Sequence, residues 1–200
     1  MNIQTDIDSI FNPDTSMCLD EFGQVRAELY EEYRPTVAVA LMCGNQVLLV
    51  QSSKRCGNEG KSWLFPQGGI DPGKTIFPTL SMELWQELGL EFTLKKLLEL
   101  QETNALAALG WYINPPRFEG KKPKLIIVVG IQVESLDPIT LNEENTKYQF
   151  VYEPYMLWAI MGTTRQAKVA GTLYALYRAH MAGLIGWSCR DVLSQAVATA

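Results

Sequence analysis

The residues of this chain best suited to chemistry are two glutamates, Glu83 and Glu87. They stand four apart in a stretch whose leucines, Leu80, Leu84 and Leu88, also recur at every fourth position. That spacing predicts a helix over 76–88, with the leucines on a buried stripe and both carboxylates on one face. Gln86, three from Glu83, directs its amide toward the same region. Gly68, Gly69 and Gly73 precede the helix, and such glycines let backbone carbonyls and N–H groups approach a ligand closely. Carboxylates and carbonyls grouped in this way suit a hard, oxygen-loving cation such as Mg²⁺ or Mn²⁺. Such an ion can polarise a phosphoryl oxygen and generate a hydroxide nucleophile. Spacing alone favours the plainer outcome, because two glutamates four apart on a helix usually form its solvated face.

Other elements must hold these residues in place. Residues 36–43 and 46–51 are apolar and β-branched, with Gly44-Asn45 between them, and read as a hairpin. Residues 52–62 read as a loop, 63–66 as a short strand and 67–73 as a turn. Thr75 is the expected N-cap of the helix, Pro78 falls in its first turn, and Gly89 is its stop. Residues 94–101 and 106–113 read as strands, both with some helical character, and 125–133 as the clearest strand of the chain. A further strand is expected at 148–151 and helices at 153–161 and 165–185, with 187–200 a short helix or tail. Residues 16–32 read as helical. Strands and helices mix without regular alternation, which gives an α/β class with a mixed sheet flanked by helices.

Bulk properties exclude some functions. The chain has 200 residues, enough to bury a core without disulfide or metal staples. Its net charge of −5 argues against broad non-specific nucleic-acid binding but leaves room for a local basic pocket. The four cysteines, Cys18, Cys43, Cys56 and Cys189, show no metal spacing and read as free thiols. His180 is the single histidine, which leaves little for a Ser-His triad, and its neighbours suggest a packed or half-exposed helix position. Residues 1–16 lack the basic and apolar regions of a signal peptide, and no apolar run approaches the roughly 20 residues that span a bilayer. No membrane association is expected, and the expected location is cytoplasmic. The five tryptophans, Trp63, Trp85, Trp111, Trp158 and Trp187, read mostly as core. Arg117, Lys121, Lys122 and Lys124 form a basic stretch that reads as a solvated loop, or as a contact to a phosphate backbone. Asp71 reads as a turn residue.

Residues 68–90 resemble the Nudix signature, G-x5-E-x7-R-E-U-x-E-E-x-G-U with U aliphatic. Gly68, Glu83, Leu84, Glu87, Gly89 and Leu90 match it, while Lys74, Met82 and Gln86 depart from it. The flanks carry the resemblance further. Tyr33-Arg34-Pro35-x-Val37, Trp63-x-Phe65-Pro66-Gln67-Gly68-Gly69-Ile70-Asp71 and Gly120-Lys121-Lys122-x-Lys124 resemble the RNA pyrophosphohydrolase and diadenosine polyphosphate hydrolase branch of the Nudix hydrolases.

The resemblance implies a Nudix fold, an α/β/α sandwich, over residues 33–180, with an N-terminal extension at 1–32 and a C-terminal tail at 181–200. It implies a pyrophosphohydrolase that uses Mg²⁺ or Mn²⁺ on RNA 5′-phosphate ends or dinucleoside polyphosphates. Glu83, Glu87 and Glu144 would be catalytic. The metal would be held by Glu83, Gln86, Glu87 and the carbonyl of Gly68 or Gly69. Arg34, Lys61, Gln67 and Phe150 would bind substrate, with Arg55 assisting and Tyr148 an alternative stacking residue. Gln86 keeps an oxygen but lacks a carboxylate's charge. Met82 cannot pair with a glutamate, and Lys74 could compete with a cation if it reaches the helix face. Three outcomes stay open at this level: a hydrolase of full or weakened activity; an inactive module that binds a nucleotide or RNA 5′ end; or a structural protein whose terminal extensions dock a protein partner.

Overall fold

The computed structural model describes residues 12–53, 62–116, 118–161 and 166–187. Its central strand, β1 (Arg34–Cys43), has eight consecutive buried residues. A strand covered on both faces is apolar without alternation, and this one divides its side chains between two cores. Val37, Val39 and Leu41 enter one, and Ala38, Ala40 and Met42 enter the other.

β2 (Gln46–Ser52) returns antiparallel to β1 through the expected Gly44-Asn45 turn, with Met42 opposite Val47. It touches only the far end of β1. The near half of that edge is taken by β4 (Gln67–Gly69), antiparallel, with Val37 opposite Gly68. The other edge of β1 carries β6 (Lys124–Val133) in parallel over its whole length. β5 (Leu106–Asn114) pairs antiparallel with β6. β3 (Trp63–Leu64) and β7 (Asn145–Val151) pair with β2 and complete a seven-stranded mixed sheet.

Helices cover both faces. α2 (Ile76–Leu88) and α3 (Leu94–Glu102) lie on the Val37 side, and α4 (Pro154–Met161) and α5 (Gln166–Met181) on the Ala38 side. This is the α/β/α sandwich expected. Leu80, Leu84 and Leu88 of α2 are wholly buried, each worth about 1.5–3 kcal/mol. Thr75 holds the N-cap position without a side-chain capping bond. The Ile76 N–H instead donates to the Gly23 carbonyl at 3.1 Å. Gly89 ends the helix in the left-handed conformation, φ +69°, which a Cβ would disfavour.

Several local expectations are corrected. Residues 94–101 form α3 and not a strand. The Thr93 hydroxyl accepts the Lys96 N–H at 3.2 Å as an N-cap, and Leu97 faces the core while its neighbours face water. Residues 16–32 are mostly turn. The Asp20 carboxylate accepts the N–H groups of Phe22 and Gln24, each at 2.9 Å, an alternative to helix that aspartate readily offers. Only α1 (Leu29–Glu32) is helical there, besides a 3₁₀ turn at Thr15–Met17. This arm adds to the free edge of β5 through paired backbone bonds between Asn12 and Trp111, both 2.8 Å. It also buries Cys18, Leu19 and Val25 against the α2 side of the sheet. Burial pushes the Cys18 thiol up to about 12, so it is an inert packing residue.

The helix expected over 165–185 ends at Met181, and Leu184, Ile185 and Trp187 turn back onto the core. Trp63 and Trp187 are buried, whereas Trp85 is 61% exposed on α2. The half-buried Trp111 donates its indole N–H to the Asp14 carbonyl. Cys56, Cys189, the Trp158 side chain and residues 188–200 lie outside the described residues. His180 is half-buried on α5, with Nδ1 3.2 Å from the Ile185 carbonyl oxygen. Among the described residues no helix is long and apolar enough to cross a membrane.

Candidate functional site

α2 packs its carboxylate face against β4. Glu83 and Glu87 are 9% and 6% exposed, so they do not form the solvated face that spacing alone would favour. A Cβ built on Gly68 would fall on the Glu83 carboxylate. Glycine at 68 is therefore what lets helix and strand approach so closely. The Gln67 N–H donates to Glu87 Oε2 at 3.3 Å.

The electrostatics follow from this crowding. Burial raises the Glu83 carboxyl above its ordinary range, and the negative Glu144 raises it further, against an opposing pull from Lys124. Glu87 is pushed up to about 8, first by burial and then by Glu83, with Glu144 adding to the push. The Gln67 N–H and the Asn145 side chain oppose that rise. Glu144 stands exposed at the entry to β7. The loop leading to it is tied down where the Thr140 N–H donates to the Leu88 carbonyl at 2.8 Å and the Ser53 N–H to the Glu144 carbonyl at 2.6 Å. Two buried carboxylates thus repel each other, with the exposed Glu144 adding to the push, an arrangement that marks a candidate functional site.

A divalent cation fits this donor set. It would relieve the repulsion, and the contact between Gly68 and Glu83 sets a carboxylate beside backbone. Among the described residues no three His, Cys, Asp or Glu side chains close into a cage. A cation here would take Glu83 and Glu87 together with carbonyl, water or substrate oxygens, the pattern typical of Mg²⁺. Lys74 does not compete for these carboxylates. It pairs with Asp71 at 3.2 Å in the exposed turn before α2.

The opposite side of β4 is basic. Gly68 faces Glu83, whereas a Cβ on Gly69 would lie 3.9 Å from the Arg34 guanidinium. Arg34, Lys124 and Asn114 are register partners across β1, β6 and β5, so they stand in one row at one end of the sheet. A cleft of about 780 Å³ opens over this row. Its wall carries Arg34, Lys121, Lys122, Lys124 and Lys168 against a single acid, Asp71. The arm closes one rim. The Tyr30 hydroxyl donates to the Asp71 carbonyl at 3.1 Å, and Lys122 Nζ donates to the Tyr30 carbonyl at 2.7 Å. Lys121 and Lys122 of the basic stretch are exposed, and Lys124 is half-buried.

Glu83, Glu87, Glu144, Gly68 and the Gln67 backbone come together. Gln86 lies on the exposed flank of α2, as does Met82. Phe150 is half-buried against the α2 side of the sheet, edge-to-face with Tyr148 at 6.3 Å between ring centres. Lys61, Arg55 and Arg117 lie outside the described residues. Sequence reasoning missed Asn114, Asn145 and Lys168. Lys168 left a signal, because it heads the stripe Lys168, Thr172, Ala175 and Ala179, all buried on α5. Asn145 left none beyond standing next to Glu144.

The chain is similar to known proteins in sequence and in fold. The RNA pyrophosphohydrolase of Helicobacter pylori (strain G27) is 29% identical over 156 residues, covering 69% of this chain and 90% of that protein. The RNA pyrophosphohydrolase of Psychrobacter sp. (strain PRwf-1) is 44% identical over 52 residues, covering 26% of this chain and 29% of that protein. Among solved structures, a NUDIX hydrolase from Nitrosomonas europaea superposes with a TM-score of 0.55 at 21% identity, over 74% of this chain and 89% of that one. The model of the NUDIX domain family matches residues 32–151. A match over that share of the chain means that the chain belongs to the NUDIX domain family.

Proposed function

We propose that the protein is a metal-dependent pyrophosphohydrolase acting on RNA 5′-phosphate ends or dinucleoside polyphosphates. The observation that carries this reading is the two-sided β4 strand, with buried carboxylates against Gly68 and a cationic cleft beyond Gly69. A phosphate chain crossing that strand would meet opposite requirements on its two sides. The cleft offers Arg34 and the lysines to the phosphates, and the carboxylate side offers ligands for a cation. The likeness to RNA pyrophosphohydrolases over most of the chain supports this class of substrate.

Glu83 and Glu87 would hold Mg²⁺ or Mn²⁺ with the Gly68 carbonyl, and Gln86 would add an oxygen from the exposed flank. A bound cation supplies charge neutralisation and an acidified water. Glu144, exposed and beside both ligands, would accept the proton of the attacking water as a phosphoanhydride P–O bond breaks. Gln67 would orient the phosphate chain, Lys61 would add a cation, and Phe150 or Tyr148 would stack a base.

A binding module without turnover is the second reading, favoured by the neutral Gln86. The test is product analysis. Purified protein with Mg²⁺ should release pyrophosphate or phosphate from 5′-triphosphorylated RNA, or nucleotides from diadenosine tetraphosphate. Binding of either ligand with no product would transfer the assignment to the binding module.

A further inference from the structure

Asn145 is 7% exposed, and its Nδ2 has no hydrogen-bond partner among the described residues. Ser53, whose N–H is bonded to the carbonyl next to Asn145, leaves its own buried hydroxyl unpartnered as well. Buried polar groups are normally satisfied, so two orphans, one at the start of β7 and one just past the end of β2, point to a use. The Asn145 side chain faces Glu87 closely enough to favour its charged form, yet falls short of a complete hydrogen bond. Glu87 is buried and has little bulk water to orient it. The Gln67 N–H holds its Oε2, and the Asn145 side chain is the further polar group that favours its charge. Met82, on the same helix, is 40% exposed and turned away.

We propose that Asn145 is a positioning residue of the metal site, whose amide N–H holds Glu87 in place, directly or through an oxygen shared with Ser53. A neutral donor suits the task. It orients the carboxylate without neutralising it, so the full charge stays available to a cation, whereas a lysine or arginine there would compete with that cation. The inference rests on the metal-site reading of Glu83 and Glu87.

The test is Mn²⁺ binding to the full chain, followed by the electron paramagnetic resonance signal of free Mn²⁺, with thermal melting as a control. Asn145→Leu removes the donor at similar size, Asn145→Ser is a smaller second variant, and Asn145→Gln keeps the amide. Loss of the donor should weaken Mn²⁺ binding about tenfold or more, and the glutamine variant should recover most of it. Melting should not fall in the serine variant, since no intact hydrogen bond is lost. A folded leucine or serine variant that binds Mn²⁺ as the unmodified protein does would overturn the role of Asn145 alone. An unmodified protein that binds no Mn²⁺ would overturn the metal reading and this inference with it.

Discussion

The Glu83 carboxylate occupies the space where residue 68 would carry a Cβ, so Gly68 and Glu83 are mutually dependent. Gly68→Ala forces the carboxylate out of its position. The displaced group is the end of a flexible side chain, so the fold should tolerate the change while the site does not. Expected is a fall of about 10²-fold in kcat/KM, near 3 kcal/mol of lost transition-state stabilisation, with the melting temperature lowered by only a few degrees. An alanine variant of unchanged rate would show that the contact is incidental.

Glu87 gives a pH prediction whose sign is fixed. Its folded-state pKa of about 8 lies above the ordinary 4.5, so the folded, metal-free protein retains a proton that the unfolded chain loses. Below pH 4.5 both states are protonated and nothing is lost. Between pH 4.5 and 8 metal-free stability declines, and the decline is complete above pH 8. Glu83, raised in the same direction, adds to it. Melting curves from pH 5 to 9 in chelator should show this fall, and Mn²⁺ should reverse it most strongly at the alkaline end. A metal-free stability that rises over this range would contradict the arrangement.

It follows that Glu87→Gln should stabilise the metal-free protein at pH 8 while removing the metal-dependent rise in melting temperature. Relief of about 1–2 kcal/mol corresponds to several degrees in a chain of this size. Calorimetry with and without Mn²⁺ measures both effects. A variant that melts lower than the unmodified protein in chelator would mean that Glu87 is stabilised by contacts other than those described.

Arg34→Ala removes a cation from the row it forms with Lys124 and Asn114. A charge-assisted phosphate contact is worth about 1.5–3 kcal/mol. KM for a triphosphorylated substrate should therefore rise about 10- to 100-fold, with a smaller change in kcat and a weaker dependence on salt. Steady-state kinetics at two ionic strengths separates this from a general loss of folding, which would reduce kcat as well.

Lys74→Ala should do little. The ammonium is engaged with Asp71 in an exposed turn, and such pairs contribute about 0–1 kcal/mol. Mn²⁺ affinity should be unchanged. A marked gain in affinity would show that the lysine reaches the helix carboxylates after all.

Much of this arrangement was legible in the sequence because local patterns determine it. Leu80, Leu84 and Leu88 defined α2 together with its carboxylate face, and the apolar, β-branched run of 36–43 marked a strand, although its coverage on both faces emerged only in the fold. Glu144 reached the site from a distant loop, and family resemblance was what identified it. The Asp20 turn was missed because side-chain competition with the backbone decides it, against a helical composition. α3 was misread because Leu97 is its one fully buried residue, too little to display a helical period. The row Arg34, Lys124 and Asn114 depends on strand register, which periodicity does not reveal. The burial of Glu83 and Glu87 depends on β4 packing against the helix, a tertiary fact that no spacing rule contains.

The most direct measurement is turnover of 5′-triphosphorylated RNA and diadenosine tetraphosphate with Mg²⁺ or Mn²⁺, beside the Glu83→Gln/Glu87→Gln double variant. Metal-dependent hydrolysis by the unmodified protein, lost in a folded double variant, is the predicted result. Equal turnover in both proteins, or none in either, would contradict a hydrolytic centre built on these two carboxylates.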